Sequence, residues 1–150
     1  MTRRLPRPVR LHLAPRAFSV LPTPEELRGL KGRQARAVAN AEHKRAMQQV
    51  VNLARETGWS DHWVWDSRHS PKGKLDLTLK RVPDAEHPRR RPRWIEAELK
   101  TGKGKPTKEQ REEFERLAHF PHVERYLWHP LDPDEWRVIE RVLAEDEAVA

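Results

Sequence analysis

The sequence predicts an α/β fold: a mixed four-stranded sheet flanked by helices, in the order helix, three strands, helix, strand, with one more helix at the C-terminal end. Three observations predict it. Apolar residues recur at three- and four-residue steps from about Ala35 to Thr57. Three short runs rich in Trp, Val, Leu and Ile follow, each bounded by turn residues. Two strong helix starts, at Thr107 and at Asp132-Pro133, then lie on either side of a last strand-like run.

Before the first helix, Met1 to about Pro24 holds Arg3, Arg4, Arg7, Arg10 and Arg16 among repeated prolines, with no acid. Proline lacks the amide that a helix needs, so this reads as an extended basic arm suited to phosphate contact. The same character also fits an organellar transit peptide, although the prolines spoil the amphipathic helix such peptides need. A single domain is expected over 25–145, with a short tail at 146–150.

In the first helix Val38, Ala39, Ala46, Val50, Leu53 and Ala54 form the apolar stripe, Glu42 lies on the same face, and Gly58 stops it. The strand-like runs are His62 to Trp65, Leu75 to Val82 and Trp94 to Lys100. Ser70-Pro71-Lys72-Gly73 makes the first turn, and a basic loop through Arg89, Arg90 and Arg91 makes the second. Thr107 with Gln110 has capping-box spacing, ahead of Phe114, Leu117 and Ala118 on one face. A strand from about Val123 to Trp128 comes next. Asp132, Pro133 and Glu135 then open a helix with a stripe of Trp136, Ile139, Val142 and Leu143. A three-stranded meander with a crossover helix to the fourth strand is the simplest assembly.

Composition narrows the function. Lys and Arg number 30 against 23 Asp and Glu, a net charge of +7 that suits a polyanion such as nucleic acid. There are no cysteines, which excludes disulfides, thiolate zinc sites and cysteine nucleophiles. The eight histidines form no H-x-x-x-H pair. The six tryptophans are read as core and sheet packing rather than as a base-stacking platform. No apolar run is long enough for a membrane span, so a soluble protein is expected. The high Arg and Pro content suggests a GC-rich genome, and the cytoplasm of a bacterium or phage-infected cell is the expected location.

Chemistry is concentrated in Trp94-Ile95-Glu96-Ala97-Glu98-Leu99-Lys100. Strand alternation puts Glu96, Glu98 and Lys100 on one face, with Glu96 read first as a solvent-exposed acid and second as a support for the site. Asp76 interrupts the apolar run Leu75 to Leu79, where an acid is costly without a cation or hydrogen bonds. If the two strands are neighbours, Asp76 and Glu98 converge and can hold Mg2+ or Mn2+, with Lys100 at the rim. Such a set suits phosphodiester hydrolysis, which needs a polarising metal and a cation facing the charge of the transition state. Arg68, Ser70, Lys72, Lys74, Arg89, Arg90, Arg91, Lys103 and Lys105 lie in the flanking loops, where phosphate contacts would guide DNA, although a solubilising charge run equally explains Arg89 to Arg91.

Several motifs together resemble the VRR-NUC nucleases, a branch of the PD-(D/E)XK superfamily. They are Gly58-Trp59, His62, Ser67-Arg68-His69-Ser70, Gly73-Lys74-Leu75-Asp76-Leu77, Ala97-Glu98-Leu99-Lys100, Gly104 and Thr107-Lys108-Glu109-Gln110. The resemblance covers roughly Glu42 to Val142 and implies a restriction-endonuclease-like αβββαβ core. It also implies that Asp76 and Glu98 are metal ligands and that Lys100 positions or activates the attacking water. Gln110 matches the family's helix glutamine and serves equally well as its own helix cap. Glu42 matches the first-helix acid, a third metal ligand, though helical glutamates also pair with a nearby Lys or Arg. Leu75 stands where the family has Pro, a residue that shapes backbone and binds no metal.

The implied activity is a Mg2+- or Mn2+-dependent DNA endonuclease, structure-selective for junctions, flaps or other branched DNA. Resolving a junction would require a homodimer. A non-catalytic DNA-binding module on the same fold is the alternative, and RNA is a further substrate class that phosphate chemistry does not separate from DNA.

Overall fold

The computed structural model describes residues 32–146 apart from Ser67 and Lys103. The arm expected over 1–24 lies outside the described residues, as does all of the tail except Asp146. Contacts divide the chain into Met1–Ala35 and Arg36–Ala150.

Helix α1 (Gly32–Glu56) buries Ala46, Met47, Val50, Val51 and Ala54, a stripe at three- and four-residue spacing. A Schellman motif ends it. The Trp59 amide donates to the Ala54 carbonyl at 2.9 Å and the Gly58 amide to the Arg55 carbonyl at 3.2 Å. Gly58 has φ +86°, and a Cβ there would lie 2.7 Å from Arg90 Nη1. Only glycine fits both demands.

Strands β1 (Asp61–Val64), β2 (Leu77–Arg81) and β3 (Arg93–Leu99) form an antiparallel meander. Helix α2 (Lys108–Leu117) then leads to β4 (Val123–Trp128), parallel to β3. The sheet order is β1-β2-β3-β4, which makes a mixed, open, four-stranded sheet with β3 interior. Helix α3 (Pro133–Ala144) follows, with Pro133 in its first turn and the Asp132 carboxylate accepting the Asp134 and Glu135 amides. The sequence-predicted order is therefore the observed one.

One boundary differs in a way that matters. Asp76 was expected inside the second strand, but β2 starts at Leu77 and Asp76 occupies a bend just before it. The Asp76 carbonyl still accepts the Trp65 amide at 2.9 Å. Its side chain, rather than a strand carbonyl, takes the Leu99 amide, and so the ladder stops there.

The two faces of the sheet differ. Leu77, Leu79, Ile95, Ala97, Leu99 and Trp128 join Met47, Val50, Val51, Ala54, Ile139 and Leu143 in a single core. Each large side chain fully buried there contributes about 1.5–3 kcal/mol. Trp59 is in the same core, its indole N–H donating to the Leu143 carbonyl at 3.0 Å. Arg81 and Arg93 stand 4.9 and 5.1 Å from its ring. The opposite face carries the polar residues and, through Gln110 and Phe114, meets α2. Among the described residues no helix is long and apolar enough to cross a membrane.

Candidate active site

Leu77 pairs with Ala97 across β2 and β3, so one step further the register sets Asp76 opposite Glu98. Asp76 is held in place: Oδ2 accepts the Leu99 amide at 2.9 Å and lies 3.3 Å from His43 Nε2. That nitrogen is also 3.3 Å from the Leu99 carbonyl. Facing two acceptors, His43 Nε2 carries a proton. The bond to Asp76 raises the His43 pKa above its ordinary value, against the opposing effect of burial.

Glu98 is only 1% exposed. Its Oε1 receives Lys100 Nζ at 2.7 Å and Gln110 Nε2 at 2.6 Å, while Oε2 is buried with no hydrogen-bond partner. Burial pushes the Glu98 carboxyl above its usual range, the Lys100 bond pulls it back, and the nearby Asp76 charge pushes it up again.

Gln110 caps its own helix and also reaches Glu98 and Lys100. Its Oε1 accepts the Thr107 amide at 2.9 Å, closing the capping box, and also faces Lys100 Nζ at 3.2 Å. Its Nε2 meanwhile donates to Glu98. The start of α2 is thereby bolted to the end of β3.

Glu42 does not join this set. It is half-buried, but no hydrogen bond or ion pair ties it to Asp76 or Glu98, and the residue that reaches Asp76 from α1 is His43. Among the described residues no group of three or more His, Asp or Glu side chains is gathered as around a metal ion. His43 was legible in principle, since it precedes Ala46, Met47 and Val50 by three, four and seven residues on the buried stripe.

Glu96 is a second correction. Expected to face solvent, it is 2% exposed, because its neighbours on that face, Trp94, Thr78 and Lys74, close around it. Its carboxylate accepts Trp94 Nε1 at 2.9 Å, Thr78 Oγ1 at 2.8 Å and Lys74 Nζ at 3.3 Å.

The loop cations are mixed in character. Ser70, Lys72 and Lys74 line a cavity of about 290 Å³ with Trp65, Asp76 and Gln110. Gly73 (φ +81°) lets this loop close on α2, since a Cβ there would lie 2.6 Å from the Glu109 carbonyl oxygen. Lys72, Arg68 and Lys105 are exposed, whereas Lys74 is half-buried between Glu96 and the Trp65 ring. Lys103 lies outside the described residues. Arg90, from the basic run, is a buried structural group bound to Asp84 and Asp146.

No protein-family model, no curated protein and no solved structure matches the chain.

Proposed function

We propose that this chain is a divalent-metal-dependent deoxyribonuclease that hydrolyses phosphodiester bonds on a restriction-endonuclease-like core, with Asp76, Glu98 and Lys100 as its catalytic set. The observation that carries the reading is the state of the two acids. Asp76 is pinned by the Leu99 amide beside a fully buried Glu98 whose Oε2 has no protein partner. A buried carboxylate oxygen without a partner costs on the order of 1–3 kcal/mol or more. A cation shared with Asp76 removes that cost, and hard divalent ions take such oxygen donors. Asp76 and Glu98 would hold the ion, and Mg2+ or Mn2+ there supplies Lewis-acid polarisation of the phosphoryl group and a water of lowered pKa.

The chain's own residues account for the rest. Lys100 brings an ammonium to the edge of the acid pair, where it offsets negative charge building on a phosphoryl oxygen. Gln110 holds both Glu98 and Lys100, so the two move as a unit with the start of α2. His43 donates to Asp76 and orients its carboxylate. Exposed Lys72, Arg68 and Lys105 offer phosphate contacts that position a duplex without reading its bases.

The test is cleavage of supercoiled plasmid and of a synthetic four-way junction in Mg2+, Mn2+ and EDTA, with Asp76→Asn and Lys100→Ala alongside wild type. Metal-dependent cutting that is lost in both variants is expected. Binding without cutting in either metal moves the chain to the non-catalytic DNA-binding module.

A further inference from the structure

The face that carries Asp76 and Glu98 continues into a strip of aromatic side chains that the acid pair leaves unused. Alternation along the strands sets Trp63 and Trp65, Thr78 and Lys80, and Trp94 and Glu96 on this one face. Trp63 and Trp94 are 49% and 40% exposed, unlike indoles that serve as packing, whose large apolar area is covered. Of the six tryptophans expected to pack the core and sheet, these two are left half exposed on the sheet face.

The strip is oriented. Trp94 is tied by its N–H to Glu96 Oε1 at 2.9 Å, and Trp65 by its N–H to Thr78 Oγ1 at 2.9 Å, whose hydroxyl in turn donates to Glu96 Oε2 at 2.8 Å. The buried Glu96 carboxylate is thus the hub of the strip. Each ring also has an ammonium against it: Lys80 Nζ lies 4.0 Å from the Trp94 centroid and 5.5 Å from that of Trp63, and Lys74 Nζ lies 4.7 Å from that of Trp65.

We infer that this strip stacks the unpaired bases of a single-stranded segment belonging to the DNA whose backbone enters the acid-pair site. The inference rests on the reading of that site as one for phosphodiesters, and it adds a subsite for unpaired bases beside it. Three features select the occupant. Flat, oriented indoles match the π-faces that every unpaired base presents and that a duplex hides. Lys80 places positive charge beside the Trp63 and Trp94 rings, as a phosphate-linked ligand requires, while the charge of Lys74 is met by Glu96. The strip is also continuous with the site, because the Trp65 amide bonds the Asp76 carbonyl.

The experiment measures binding in EDTA of two duplexes, each with the same single-stranded tail length and phosphate count, one tail carrying bases and the other abasic. Wild type should bind the base-bearing tail on the order of tenfold tighter, with quenching of tryptophan emission. The Trp63→Ala/Trp94→Ala double variant should bind both equally. Equal affinity of wild type for the two tails, or a preference that survives in the double variant, overturns the inference. So does finding the two rings shielded from a soluble quencher in the free protein, by a second copy or by the chain itself. The wild-type comparison needs no variant to fold. Loss of the catalytic reading shows separately, as absent Mg2+-dependent cutting with the tail preference intact. Loss of the stacking strip leaves cutting of blunt duplex unchanged.

Discussion

Gln110 belongs to two networks, and a pair of substitutions separates them. In Gln110→Ala the Thr107 amide loses its acceptor, Lys100 loses one at 3.2 Å and Glu98 Oε1 loses its donor at 2.6 Å. In Thr107→Ala only the hydroxyl that accepts the Gln110 amide at 3.2 Å is removed. A helix N-cap contributes about 1 kcal/mol, and a hydrogen bond to a charged group about 1.5–3 kcal/mol. Thr107→Ala should therefore cost about 1 kcal/mol and Gln110→Ala about 2–4 kcal/mol. Because Glu98 is buried, water cannot readily replace the lost amide. Urea unfolding followed by far-ultraviolet circular dichroism reads both values, with an unchanged denaturant slope as the check that the end states are the same. Equal losses, within about 0.5 kcal/mol, would refute the reasoning, since Gln110 would then act through its helix cap alone.

Three further outcomes follow from the same geometry. Lys100→Met leaves Glu98 buried beside Asp76 without its cation and should cost about 3–5 kcal/mol. Adding Glu98→Gln should restore most of that loss, and no recovery in the double variant would show that the pair is uncoupled. Gly58→Ala forces an L-residue to φ +86° and sets its Cβ 2.7 Å from Arg90 Nη1. It should lower stability by about 1–3 kcal/mol, and an unchanged unfolding midpoint would count against the close packing described. At Glu124, burial pushes the carboxyl up, but the Arg93 hydrogen bonds at 2.6 and 2.8 Å hold it below the usual range. A depressed folded-state pKa gives stability that is present above the unfolded value near 4.5 and is lost as pH falls through the folded value. Glu124→Gln should cost about 1–3 kcal/mol at neutral pH, and its gap to wild type should close below about pH 4. A gap independent of pH in unfolding midpoints would sink the assignment.

The elements were legible in the chain because what specifies them is local. The stripe from Ala46 to Ala54 repeats at helical spacing, Thr107 and Gln110 satisfy a helix start between themselves, and Asp132-Pro133 does so at the next one. The Asp76, Glu98 and Lys100 grouping was legible for a related reason. Period-two alternation together with a meander of neighbouring strands brings an acid ahead of β2 opposite an acid on β3. Other features were decided by groups distant in sequence. Asp76 leaves the strand because the Leu99 amide takes its side chain, 23 residues on. His43 rather than Glu42 reaches that carboxylate because of how α1 lies along the sheet, which the stripe alone leaves open by a residue. Glu96 is buried because Trp94, Thr78 and Lys74 close around it, and Trp63 and Trp94 are exposed because α2 meets only part of the face they share. Sequence by itself determined the periodicities and the caps, which each residue settles with neighbours a few positions away. Tertiary structure alone decided burial and partnership, because those depend on which surface the fold lays across each side chain.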